Sequence, residues 1–336
     1  MGVVSRQSSA FLAGTIFTAA AGYLFKVYLA RSLGAETLGI YALGMTLVSV
    51  FGGFNGLGLP KAAVRFVATY CATGNMELLR GFLARGTLLL LAANVVFAGG
   101  LLVVGPWVAV RFYHAPELKQ HLEWFAAIMS LMVLNTFLGE VLVGYKNVGR
   151  RIVISNFVGS PTMMVFTVAL VWLGWELRGY LLAQVVSALL VLVLMLTSAW
   201  RMTPQPARSL SPPWPPIQKE VVSFSAAVLG LSTLSLLMSQ ADKVIVGFYL
   251  DPRQLGVYAV AMGMAAFVPV ILQAINQIFS PTIADLWARQ QSQTLERIFQ
   301  TLTKWCIGLT VPLAGVMIMF APALMRIFGR DFGTGW

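Results

Sequence analysis

Charge is scarce in this chain. Only 10% of its 336 residues are Asp, Glu, Lys or Arg, against about 25% in soluble domains, while 58% are hydrophobic and the mean hydropathy is +0.80. A soluble globular protein is excluded by that balance, and a chain that lives in lipid is indicated. Cysteine is nearly missing too: Cys71 and Cys306 stand alone, without ligand or redox spacing, so no disulfide framework or zinc site is written here. The two histidines, His114 and His121, flank one connection between spans and read as interfacial residues. No G-x-x-x-x-G-K-[ST] loop cradles a nucleotide. No D-x-D, H-E-x-x-H or Ser/His/Asp constellation offers a metal or a nucleophile. The sequence therefore gives no footing for catalysis, and no cofactor is expected.

What the chain has is long apolar runs. Uncharged stretches cover Thr37–Pro60, Gly86–Val110, Ile152–Trp175, Gly179–Trp200, Gln254–Ala284 and Trp305–Met325, each long enough for the ~20 residues a spanning helix requires. Three further runs carry one or two charges: Ser8–Ala30, Leu122–Tyr145 and Val221–Leu250. The expected fold is thus all-α and polytopic, with about nine transmembrane helices. Ser8–Ala30 is a span and not a cleaved leader, because the same segment recurs inside the chain at Val221.

The net charge of +11 does not call for a nucleic-acid partner. With the N-terminus on the cytoplasmic side, fourteen cations fall in inner connections, among them Lys61, Arg65, Arg80, Arg85, Arg150, Arg151 and Arg208, and seven in outer ones. The positive-inside bias accounts for the basic composition and orients the chain N-in.

The sequence also repeats itself. "LGIYALGM" at 38–45 returns as "LGVYAVAM" at 255–262, 217 positions later. Lys26 aligns with Lys243 at the same offset; Asn55 and Pro60 align with Asn276 and Pro281, and Glu77 with Glu296, at slightly larger ones. Six spans separate equivalent points, so both copies stand the same way up and form parallel repeats about an axis along the membrane normal. The division this implies is an N-terminal lobe of six helices over 1–200, a proline-rich cytoplasmic linker over 201–219, and the first three helices of a second lobe over 220–336.

Applied to polar residues, the offset pairs Ser8, Thr15, Thr18, Gly22 and Lys26 with Ser225, Ser232, Ser235, Ser239 and Lys243. At 100° per residue these positions fall within an arc of about 80°, which gives each helix one polar stripe. Two readings stand: the small residues allow close helix packing, or the stripes line a shared cavity. Lys26, roughly 27 Å along an outward-running helix, either snorkels to the headgroups or joins Lys243 and nearby Arg31 in a cationic vestibule for a phosphate headgroup. Asp242 and Glu140 either neutralise neighbouring cations, with Lys146 or Arg150 as partners for Glu140, or bind a coupling ion. Gln273, Asn276, Gln277 and Ser280 make a further polar stripe on the eighth span. The linker "RMTPQPARSLSPPWPPIQK" favours extended polyproline II and is expected to be a tether outside the core of either half.

At this point "ARSLGAETLGIYALGMTLVSVFGGFNGLGLPKAAVRFVATY" and "SQADKVIVGFYLDPRQLGVYAVAM" together resemble the oligosaccharide flippases of the polysaccharide transporter family. Its superfamily also holds multidrug and toxin extruders and lipid II flippases. The resemblance implies two six-helix lobes, often followed by two more helices, that carry polyprenyl-pyrophosphate-linked sugars from the inner to the outer leaflet of a bacterial inner membrane. Implied partners are the lipid-linked oligosaccharide, the bilayer and the polysaccharide polymerase machinery. By position, Lys26, Arg31, Asp242 and Lys243 match places where such proteins carry charge near the central cavity. The second copy stops before its fourth span, so the expected chain is a C-terminally incomplete one.

Other classes stay open. A multidrug or organic-cation antiporter of the same superfamily would want an acidic cavity, which the lysines disfavour. A polymerase or glycosyltransferase would want a large outer loop, and the outer connections are short. A non-transporting membrane remnant is the third alternative.

Overall fold

In the computed structural model the described residues are 2–208, 214–269, 272, 279, 283, 286, 287 and 290–333, with side chains described from residue 21. Among them every regular element is helical. The first run, α1 (Gly2–Asn55), is broken at Gly34, where φ is 77° and ψ 171°; glycine tolerates that backbone without a Cβ penalty. The break falls in the outer connection expected between the first two spans. There follow α2 (Leu59–Ala72), α3 (Met76–Trp107), α4 (Leu122–Gly144), α5 (Val148–Ile152), α6 (Ser160–Trp172), α7 (Glu176–Met202), α8 (Lys219–Tyr249), α9 (Pro252–Ala265), α10 (Ser292–Met319) and α11 (Ala321–Phe328).

Seven helical stretches among the described residues are long and apolar enough to cross a membrane. They match the expected spans with two differences. The first two expected spans are joined in one stretch, Ala21–Asn55, across the break at Gly34, and the expected span at 254–284 lies largely outside the described residues. Between α5 and α6 the helix widens into a π-turn over Val153–Gly159, immediately ahead of Pro161. A proline ring clashes with the carbonyl four residues before it, and a widened turn relieves that clash without ending the helix.

Contacts gather the chain into two compact units, Met1–Lys26 with Ile40–Pro252, and Val27–Gly39 with Arg253–Trp336. In the larger unit α4 is apolar over most of its surface and packs against α2, α3 and α7. Phe125, Met129, Phe137 and Leu142 are fully enclosed along it, as expected of a helix surrounded by others. By contrast α3 and α6 leave Val95, Val103, Val165 and Trp172 exposed, which in a membrane chain is a lipid-facing surface.

Lipid tails are as apolar as leucine, so helices associate in a membrane through close packing of small residues. The α2–α4 seam shows it: Ala62 and Ala63 are wholly buried, and a Cβ on Gly144 would come 3.0 Å from the Ala63 carbonyl oxygen. A Cβ on Gly44 would strike the Phe125 ring. Buried Asn55 donates an Nδ2 hydrogen to Asn94 Oδ1, midway along α3, pairing polar groups that hydrocarbon could not satisfy.

One expectation is corrected here. The end of the proline-rich segment is no free tether: Arg85 Nη2 donates to the Trp214 carbonyl at 2.6 Å, Tyr70 Oη bonds Gln218 Oε1 at 3.2 Å, and Ala207 and Ile217 join the apolar core. Its missing N–H groups leave carbonyls free to accept, and Gly81 gives it room, since a Cβ there would lie 2.7 Å from the Pro215 oxygen. The contacts also draw a different line from the repeat, because α8 belongs to the same compact unit as the N-terminal helices.

In the smaller unit the repeated octapeptide acquires a meaning. Gly256 lies so close to the backbone at Ala35 that an added Cβ would be 1.8 Å from the Ala35 oxygen and 2.9 Å from the Gly39 nitrogen. Gly39 and Gly256 are the same position of the two copies, so the motif's glycines meet each other where their helices cross.

Candidate transport cavity and its ion cluster

A cavity of about 340 Å³ opens between the second arm of α1, α4 and α8, lined among others by Ser49, Gly52, Gly53, Lys61, Thr136 and Ser232. The stretch "FGGFNGLG" at 51–58 makes it. Without side chains at 52, 53 and 56 the helix end presents backbone to the cavity, and a Cβ on Gly53 would already touch Leu236 at 3.0 Å. Gly58 turns the chain into α2 in the left-handed region, φ 69°, where a Cβ would fall 2.1 Å from the Ser225 carbonyl oxygen. Gly58→Ala is therefore expected to cost about 3 kcal/mol, strain plus a backbone clash. Gly74→Ala, at the same φ of 69° but with open space around it, should cost only about 1 kcal/mol. Thermal unfolding of the two variants in detergent separates clash from strain.

Lys61 stands in the first turn of α2, on the cavity wall, and Glu140 in the last turn of α4. Each opposes its helix dipole, which favours anions at N-termini and cations at C-termini, so each needs a partner. Glu140 is 6% exposed and receives Arg151 Nη1 at 3.2 Å and Lys61 Nζ at 3.6 Å. This corrects the expected partners Lys146 and Arg150. Lys146 sits in the turn after α4 with φ 60°, and Arg150 is one residue, or about 100°, around α5 from the side chain that faces Glu140. The cluster carries two cations for one carboxylate, and its outer member, Lys61, has 69% of its side chain exposed.

The described residues among those expected to bind substrate have different surroundings. Ser232 lines the cavity. Ser225, in the same stripe, is buried against Gly58, while Ser235 Oγ donates back to the Leu231 carbonyl at 3.0 Å, a common way for a hydroxyl to be satisfied in a membrane helix. Lys243 Nζ turns along its own helix to Gln240 Oε1 at 3.0 Å. Lys26 is exposed, and Asp242 is half-buried with partners of its own. Arg31 Nε donates to the Ile327 carbonyl at 2.8 Å and so caps the end of α11; its guanidinium is engaged by a helix terminus. Thr15 and Thr18 lie on the first arm of α1, but their side chains, like Asn276 altogether, fall outside the described residues. What sequence reading missed is Lys61, counted there only as one inner cation, and Arg151. The signal was the glycine cluster directly before Lys61, which announces an opening in the packing. Among the described residues no group of His, Cys, Asp and Glu could hold a metal ion.

The profile of the family described as "Polysaccharide biosynthesis protein" matches residues 4–287. The chain belongs to that family. An uncharacterized membrane protein of Methanocaldococcus jannaschii is 20% identical over 97% of this chain and 66% of its own. A protein described as a probable low-salt glycan biosynthesis flippase, from Haloferax volcanii, is 20% identical over 98% of this chain and 66% of its own. The chain thus spans just under two thirds of the length of these curated relatives. Among solved structures, a multidrug resistance MATE transporter of the MOP superfamily superposes with a TM-score of 0.72 at 18% identity, over 92% of this chain and 72% of that one. This polysaccharide biosynthesis family member therefore shares the all-helical fold of that solved structure, in a multi-pass membrane protein.

Proposed function

We propose that this family member takes part in moving a polyprenyl-pyrophosphate-linked oligosaccharide from the cytoplasmic to the outer leaflet by alternating access, with its N-terminus on the cytoplasmic side. The observation that carries the reading is the sign of the cavity wall. Its nearest acid, Glu140, is matched by two cations, Lys61 and Arg151, which leaves the site net positive at its inner end and suited to a pyrophosphate. An organic cation would find no free carboxylate there among the described residues. Arg151 holds Glu140 at the shorter distance, so exposed Lys61 is the group that can turn to an arriving headgroup as a mobile point charge. Ser232 and Thr136 offer hydroxyls to the first sugar. Lys26 and Lys243 are the proposed later contacts, toward the other leaflet.

The test is direct binding to the purified chain in nanodiscs, with a fluorescent polyprenyl-pyrophosphate oligosaccharide as one probe and tetraphenylphosphonium as the other. Lys61→Gln is expected to weaken the pyrophosphate probe about tenfold or more, the loss of one charge-assisted contact, and Lys26→Ala with Lys243→Ala to slow its passage across proteoliposomes while binding persists. Binding of the cation alone, insensitive to Lys61, would replace this reading with the antiporter one.

A further inference from the structure

A second cavity of about 410 Å³ lies away from the first, among α3, α4, α7 and the docked linker. Its shaft is apolar and open along one side, walled by Leu83, Leu88, Leu91, Leu138 and Leu196, of which Leu88, Leu91 and Leu196 are exposed. Its cap is basic and aromatic, made by Arg80, Arg208, Trp200 and Trp214. No carboxylate lines it among the described residues. Arg80 sits in the second turn of α3 and Arg208 just beyond α7, at helix ends where a span meets the interface, and indoles favour that same level.

We propose that this cavity binds one anionic phospholipid of the leaflet at that face, with its phosphodiester on Arg80 and Arg208 and an acyl chain in the leucine shaft. The charge pattern selects the occupant. A soluble phosphate has no use for a leucine-walled shaft, and an organic cation is repelled by two guanidinium groups. The size falls at the small-ligand end of the roughly 300–1,000 Å³ usual for pockets, enough for part of one chain. Arg208 is held ready. Its Nε donates to the Thr203 carbonyl at 2.6 Å and one Nη2 hydrogen to the Arg201 carbonyl at 2.7 Å, so it caps α7 and its orientation is fixed before any lipid arrives. A guanidinium fixed in advance loses little entropy on binding. Trp214 belongs to the linker whose carbonyl Arg85 grips, so a bound lipid would touch α3, α7 and the linker at once and strengthen the seating of the linker on α3.

Native mass spectrometry of the full chain, released from vesicles of equal phosphatidylglycerol and phosphatidylcholine, tests this. The expected result is retention of one phosphatidylglycerol with about tenfold preference, the effect of charge-assisted contacts to phosphate. Arg80→Gln with Arg208→Gln should abolish the preference, and so should Leu88→Trp, which fills the shaft and leaves both arginines in place. Lys119→Gln with Arg330→Gln, removing the same charge elsewhere, should keep it. Helicity by circular dichroism checks that each variant is folded. Equal retention of both lipids, a preference that survives the arginine pair or the shaft-filling change, or displacement by free glycerol phosphate would each overturn the proposal.

Discussion

Arg151→Ala is expected to destabilise the chain by about 3 kcal/mol, because it leaves a buried carboxylate facing only a distant partner. Glu140 is 6% exposed and its remaining link, to Lys61 Nζ, is 3.6 Å long. In the variant the carboxylate must admit water or break its packing between α2 and α4. The companion variant separates charge from shape. Glu140→Leu with Arg151→Met removes the pair and replaces it with apolar side chains, and should recover most of the lost stability, since swapping a buried ion pair for packed hydrophobic groups is often neutral or better. Lys61, largely exposed, tolerates the loss of its partner. Thermal unfolding in detergent reads both. A double variant as unstable as Arg151→Ala would mean that the cluster acts through Arg151's packing on Gly139, whose added Cβ would stand 3.1 Å from Arg151 Nε.

Gly256→Ala should cost at least as much, about 3–4 kcal/mol, although it adds a single methyl group. The methyl would land 1.8 Å from the carbonyl oxygen of Ala35. A neighbouring side chain could rotate away, but a carbonyl inside a helix cannot move without the helix. Gly263→Ala on the same helix is the control. Nothing lies within 4 Å of its Cβ position, so the change should be neutral or stabilising by about 0.5–1 kcal/mol, the helix propensity of alanine over glycine. Equal melting temperatures for the two variants would remove the close crossing at 35–39 and 256 from the account.

Particular residues show how far the sequence alone carries. The spans were legible because apolar length is a property of consecutive residues and needs no knowledge of neighbours. The repeat was legible for the same reason, and Gly39 and Gly256 occupy one position of it, but nothing local says that the two copies touch there. Lys61 and Arg151 were not. Whether Arg150 or Arg151 reaches Glu140 depends on the rotation of a five-residue helix set by the π-turn that follows it, and no local pattern fixes that rotation. The serine stripe on α8 was legible as a stripe, but one face of a helix can meet several neighbours along its length, so Ser225 packs, Ser232 borders a cavity and Ser235 bonds its own helix. Arg31 looked like a vestibule cation because its offset from Lys26 was visible, whereas the carbonyl it caps is 296 residues away.

The meeting of Gly39 with Gly256 has a mechanical side. Most helix crossings are held by side chains meshed like gear teeth, as Phe125 is over Gly44, and turning one helix there means lifting a ring out of its slot. Where bare backbone slides on bare backbone there are no teeth to disengage, so a small swivel between those two helices trades few contacts. A duplicated glycine therefore supplies a bearing as well as a close fit, and a bulky residue at either copy would seize it.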